Sequence, residues 1–211
     1  CYNGKEYSKK PLDVKFTNPG KLVNSKGADY APVSMAVDTI VFFTSNRQGN
    51  TGGIVDGFGE IIPDVYFSSR TDSAWTKAKN AGINVNSEMY EISSGMTSNG
   101  DKLLVYKESA EFSGDIFLSQ LKGKSWQKAE LLHPDLATKQ LETGACMSND
   151  GKRIYFAADM KGTLGGKDIF MIEMDENKKW SAPVNLGPTV NTKFNEDNPV
   201  LWHDGKTLFF A

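Results

Sequence analysis

Apolar residues along this chain fall in short runs separated by polar stretches, with no sustained helical periodicity. Four runs are alike: Val41-Phe42-Phe43, Leu104-Val105-Tyr106, Ile154-Tyr155-Phe156 and Leu208-Phe209-Phe210. The last three follow Asn99-Gly100, Asp150-Gly151 and Asp204-Gly205. Such dipeptides supply the positive φ angles that tight hairpin turns demand. A second kind of run pairs an acid with a β-branched and an aromatic residue: Asp64-Val65-Tyr66, Asp115-Ile116-Phe117 and Asp168-Ile169-Phe170, at steps of 51 and 53 residues. Trp75, Trp126 and Trp180 follow them 11 or 12 residues later. Another acid opens each cycle: Asp29, Glu91, Glu142 and Glu196. Four landmarks in constant order make a repeat of about fifty residues.

Each cycle predicts four short strands. An extended run follows the opening acid, a turn leads to the apolar-aromatic strand, a Gly-rich connection to the Asp-led strand, and a polar turn to the Trp and a fourth strand. Four antiparallel strands per repeat of this length are the sign of a β-propeller blade. The predicted fold is therefore all-β, an incomplete propeller of about four blade equivalents from a ring of five to seven. Blades are expected at residues 29–82, 91–136 and 142–191, with 196–211 beginning another. Residues 14–25 match 182–192 and are expected to supply a fourth strand to a neighbouring blade. Residues 1–13 read as a linker or the end of a preceding helical region. The first cycle carries extra residues in Arg47–Pro63, a Gly-rich loop expected to be mobile or functional.

Composition narrows the function. The 211 residues carry 24 Lys and Arg against 26 Asp and Glu, a formal net charge of −2. A slightly acidic chain offers no footprint for nucleic acid. Aromatic residues make up 11%, too much apolar surface for a disordered chain. No run approaches the ~18 apolar residues of a membrane-spanning helix. The two cysteines, Cys1 and Cys146, make no disulfide framework. Cys146 reads as a packed strand residue. Cys1 is a candidate lipidation site, which would tie the chain to a membrane.

The four opening acids are the best site candidates. The first strand of a propeller blade lines the central channel, so Asp29, Glu91, Glu142 and Glu196 are expected to gather at one end of it. Such a ring could bind a cation or a basic peptide. The structural alternative is favoured: each acid accepts hydrogen bonds from a neighbouring turn, and recurs because the blade recurs. Asp64, Asp115 and Asp168 belong to different blades and lack the dense oxygen spacing of a calcium loop. Asp56, Glu60 and Asp64 offer only a thin calcium site. The two histidines, His133 and His203, fit no catalytic or metal motif. No catalytic residue, resident metal or cofactor is expected.

Three stretches carry a family resemblance. Gly165–Phe170, Trp180–Thr192 and Glu196–Phe210 resemble WD40-like repeats of the TolB type. Most closely they resemble the propellers of OmpA-family envelope proteins of the Bacteroidetes. Pro11–Gly20, Asn24-Ser25 and Asp29–Pro32 are similar to the way those propellers begin after a helical tetratricopeptide array, as in the PorE-type components of type IX secretion and gliding. The resemblance covers roughly residues 11–211. It implies a non-catalytic periplasmic scaffold associated with the outer membrane, whose partners are other envelope proteins. Peptidoglycan would be reached only through a domain not in this chain. The second cycle departs from the pattern, with Leu132–Ala137 where the others have Asn-Ser or Asn-Thr. The rival readings are a glycan-active or peptidase-associated propeller enzyme, and a small-ligand or cation binder through the acid ring.

Overall fold

The computed structural model describes residues 9, 15–35, 39–72, 74–108, 114–133, 142–202 and 204–211, without the side chains of Glu142 and Thr143. Cys1 and His203 lie outside the described residues.

The first blade is an antiparallel meander of β1 (Asp29–Ser34), β2 (Ile40–Ser45), β3 (Asp64–Ser69) and β4 (Lys79–Asn80). The second runs β5 (Glu91–Met96), β6 (Lys102–Lys107) and β7 (Asp115–Lys122), with β9 (Glu130–Leu131) pairing β7 as its fourth strand. A short β8 (Ser125–Trp126) extends the far end of β7 as a hairpin. The third blade is β10 (Glu142–Met147), β11 (Arg153–Ala158), β12 (Asp168–Glu173) and β13 (Val184–Asn185). A fourth begins with β14 (Val200–Leu201) and β15 (Leu208–Phe209). The fold is all-β, an arc of a β-propeller.

Register is locked by the acid landmarks. The opening acids stand opposite Ser45, Lys107 and Ala158, the residues that also face Asp64, Asp115 and Asp168 on the third strands. This sets Leu103-Leu104-Val105 in line with Val41-Phe42-Phe43, one residue earlier than the sequence comparison placed the second blade. The inner strands of the first three blades break register soon after their acids: between Tyr30 and Val33, Ser93 and Gly95, and Glu142 and Ala145. A bulge of this kind adds local twist and re-aims the residues beyond it.

The cores lie between blades. Phe42 and Val65 of the first blade pack with Leu103 and Val105 of the second. Leu104 and Ile116 of the second pack with Phe156, Phe170 and Ile172 of the third. The repeated tryptophans seal these seams. Trp126 meets Phe42 edge-on at 5.4 Å between ring centres, and Trp180 packs against the second core. Trp75 closes the face of the first blade over Val23, Phe43 and Tyr66.

The stretch expected as a strand, 14–25, forms none over its described part. Lys79 and Asn80 become a strand because they pair with Phe67 and Tyr66. Thr17 and Asn18, their counterparts in the repeat, have no third strand beside them among the described residues. The segment still docks as its counterpart does. The Ala78 amide donates to Leu22 O at 2.8 Å, as the Ala129 amide donates to Asn84 O at 2.8 Å. The Arg47–Pro63 loop folds back as a hairpin at a Val55–Ile61 bridge, with Phe58 exposed at its tip.

Candidate functional site

One twelve-residue signature builds the acid positions: Asn-x-Gly-x3-Asn-(Ser/Thr)-x3-(Asp/Glu), at Asn18–Asp29, Asn80–Glu91 and Asn185–Glu196. Its glycine sits at φ +85°, +85° and +75°, a region that side-chain-bearing residues avoid. In all three copies the glycine N–H donates to the first Asn at 2.7 Å. The second Asn donates to the same oxygen at 2.8–2.9 Å. Asn86 and Asn191 are buried and grip the third strand on both sides, accepting from the N–H of Val65 or Ile169 and donating to its carbonyl. Asn80 and Asn185 donate in turn to Asp64 and Asp168. Those aspartates also accept from the connection before their strand, at Thr51 and at Leu164.

The opening acids end the signature. Asp29 accepts from the Ser25 N–H at 2.7 Å and from the Ser25 hydroxyl. Glu91 accepts from the Ser87 hydroxyl, and Glu196 from the Thr192 N–H at 2.9 Å and the Thr192 hydroxyl. Arg47 adds a 2.6 Å ion pair to Asp29 and lies 4.8 Å over the Tyr66 ring. Lys107 stands 3.5 Å from Glu91. Burial is the largest influence on both acids. At Asp29 the hydrogen bonds from Ser45, Ser25 and Arg47 together outweigh it, and the carboxyl is held below its ordinary range. At Glu91, wholly enclosed, burial prevails over Ser87 and Lys107 and pushes the carboxyl up.

The structure thus places Asp29, Glu91 and Glu196 against the turns that precede them. Among the described residues no three His, Cys, Asp or Glu side chains converge as a metal site. Asp29 lines a pocket of about 360 Å³ on the first blade's face. Glu142 heads β10, and its side chain lies outside the described residues. His133 is half-buried just after β9. Burial pushes the Cys146 thiol up to about 12, so it stays protonated and unreactive near neutrality.

The channel wall is built from residues further along the inner strands. β1, β5, β10 and β14 lie side by side and border a cavity of about 730 Å³. Its flanks carry Val33, Ile92, Met96 and Met147, with Ser94, Ser98 and Asn198 between them. Tyr90 and Glu108 stand together at the end where the inner strands start, joined by the Glu108 N–H to Tyr90 O bond of 3.0 Å. Sequence reasoning missed Tyr90 and Glu108, because neither belongs to the repeat. It also missed the Asn and Ser/Thr partners of the acids, although their constant spacing was there to read.

No family model matches this sequence, and no curated protein matches it. Solved structures do. TolB from Acinetobacter baumannii superposes with a TM-score of 0.59 over 90% of this chain at 13% identity. A TolB candidate from Agrobacterium tumefaciens gives a TM-score of 0.51 over 90% of the chain, also at 13% identity. This chain spans 39% of the Acinetobacter protein and 71% of the Agrobacterium one. The fold is that of a TolB-type β-propeller.

Proposed function

We propose that this chain is part of a non-catalytic interaction scaffold of the bacterial cell envelope. It works in the periplasm, in an outer-membrane-associated assembly of the type IX secretion or gliding kind, and its partners are other envelope proteins. The observation that carries the reading is the acid–turn network. Three of the four carboxylates that could have made a channel-end site, Asp29, Glu91 and Glu196, accept hydrogen bonds from the turns that precede them. Those turns and the hairpin tip at Phe58 become a firm platform, and loops on a firm base suit docking. The TolB-type fold and the sequence resemblance support the envelope setting. A lipid on Cys1 would add a membrane tether, and peptidoglycan would be reached through a domain outside this chain.

The test is made in the native organism with the full-length protein. Cells are fractionated, and a photo-crosslinking residue replaces Phe58 at the hairpin tip. The expected result is recovery with the envelope and a crosslink to another envelope protein. Recovery in the cytosol overturns the reading. So does turnover of a glycoside, ester or peptide substrate that is lost in Glu108→Ala.

A further inference from the structure

The inserted hairpin ends in a side chain that its own blade does not bury. Phe58 is 94% exposed, and Val55 on the same hairpin is exposed as well. The turn is built by the residues around the ring. The Asp56 carboxylate accepts from the N–H groups of Glu60 and Phe58, both at 2.9 Å, and the Gly59 N–H donates to Asp56 O at 3.0 Å. These bonds hold the Asp56 carboxyl below its ordinary range, so it is anionic. Gly59 takes φ +84°, a conformation that a side chain would oppose. None of this requires a ring at position 58. The hairpin is also tied to its base. The Asn50 amide donates to Ile54 O at 2.8 Å and to Ile62 O at 3.1 Å, and the Tyr90 hydroxyl donates to Asp56 Oδ2 at 3.2 Å. Charge around the tip has one sign. Gln48–Ser69 and Asn80–Met96 hold no Lys or Arg, but Asp56, Glu60, Asp64, Glu88 and Glu91. The cations that flank these segments turn inward, Arg47 to Asp29 and Lys107 to Glu91. Glu60 and Glu88 are exposed, and a Cβ on Gly52 would meet the Glu88 side chain at 2.9 Å, so Glu88 lies along the hairpin.

We propose that the hairpin is a docking finger, with Phe58 seated in an apolar pocket of a partner envelope protein and Lys or Arg on the rim of that pocket set against Asp56, Glu60 and Glu88. The inference rests on the scaffold reading and names the chemistry of its partner. An aromatic side chain seated in a pocket is the kind of anchor that carries much of an interface's binding energy. The bonds at Asp56, Asn50 and Tyr90 shape the tip in advance, so docking loses little ordering entropy. Charge selects the rim, because acids around an apolar anchor draw a basic surface and repel an acidic one. The same acids speak against a lipid target, since an anionic headgroup surface attracts Lys and Arg and repels carboxylates.

The test places a photo-crosslinking residue at Gly57 of the full-length protein in the native organism. A Cβ there meets nothing within 4 Å, and Phe58 and the acids stay in place. The crosslinked partner peptide is mapped by mass spectrometry and should carry Lys or Arg beside apolar residues. Phe58→Ala should cut the crosslink yield about tenfold, as loss of an anchor residue does. Glu60→Lys combined with Glu88→Lys reverses the charge around the tip and leaves Asp56 in its turn, and it should cut the yield as far. Each variant is first required to accumulate like the parent and to melt within a few degrees of it. If one does not, Phe58→Ser or the Glu60→Gln and Glu88→Gln pair takes its place, with loss of yield still expected. An unchanged yield in either kind of variant, an acidic partner peptide, or no crosslink from Gly57 each overturns the proposal. Flotation of the purified parent with vesicles of phosphatidylethanolamine and phosphatidylglycerol, lost in Phe58→Ala, would make the target a membrane, and the protein pocket would fall. If a probe at Lys206, between β14 and β15, captures an envelope protein while the Gly57 probe gives one of the overturning results, the finger alone is lost and the scaffold stands. Recovery of the protein in the cytosol would remove both.

Discussion

At the residue scale, the opening acids act through the donors they satisfy. Removing the Glu196 carboxylate leaves the Thr192 N–H and hydroxyl without their acceptor. We expect Glu196→Ala to lose about 1–3 kcal/mol of stability. Its melting temperature should fall in chelator and in calcium alike. A variant that melts above its parent in chelator would mean that the acids repel one another around an absent ion. Two acids should leave opposite marks on pH dependence. Asp29 is held below its ordinary value, so its contribution is full above that value and is lost as pH falls through the depressed one. Glu91 is pushed up, so its contribution is full below the ordinary value and is lost as pH rises through the raised one. Glu91→Gln removes the second effect. Relative to the parent it should gain stability as pH rises from about 4 toward neutrality, measured by denaturant unfolding at each pH. A parent and variant that track each other across that range would contradict the assignment.

At the element scale, the inner strands come close enough to require glycine. A Cβ on Gly95 would lie 3.2 Å from Ala145 O and from Cys146 Cα, backbone atoms of the neighbouring blade. Backbone in a paired strand has little room to move, and overfilling such a contact costs about 1–3 kcal/mol. Gly95→Ala should therefore lower the melting temperature by several degrees. Gly57→Ala, with nothing within 4 Å of the new methyl group, serves as the neutral control. Equal melting of the two variants would show that the blades can separate without cost. The inter-blade cores make a matching demand. Phe156 is fully buried between the second and third blades, and Phe156→Ala should cost about 3–5 kcal/mol.

At the scale of the whole molecule, blade stacking governs access and association. Cys146 lies on β10, with Gly95 on one side and the Leu201 backbone on the other. Native protein treated with a maleimide near neutral pH should leave Cys146 unmodified, and denaturant should expose it, as read by peptide mapping. Rapid native labelling would mean that the second and third blades part readily. Val200, Trp202, Phe209 and Phe210 are 54%, 48%, 55% and 42% exposed, whereas Phe42 and Phe43, the counterparts of the last two, are almost wholly buried. A polypeptide of residues 1–211 by itself should self-associate through this surface in analytical ultracentrifugation, because uncovered apolar faces and strand edges seek partners. A monomer that melts sharply and reversibly would refute this.

Local sequence determined the blade. The Asp-led runs, the apolar-aromatic runs and the Asn-Gly and Asp-Gly turns encode strand, turn and strand within fifty residues, so four strands per cycle could be read without coordinates. The Asn and Ser/Thr partners of the acids were equally legible, since every bond in that network lies within the repeat. What tertiary structure decided depends on residues brought together from different cycles. The second blade's register moved by one residue because pairing is counted from the opening acid and not from the look of the apolar run. Residues 15–25 carry the letters of a fourth strand but form none among the described residues, where no third strand stands beside them. Glu108, Tyr90 and Asp56 come from a strand end, a turn and an insertion, and only blade stacking sets them at one end of the channel. Repetition writes what each blade needs for itself; the groove between blades is formed by side chains that do not repeat.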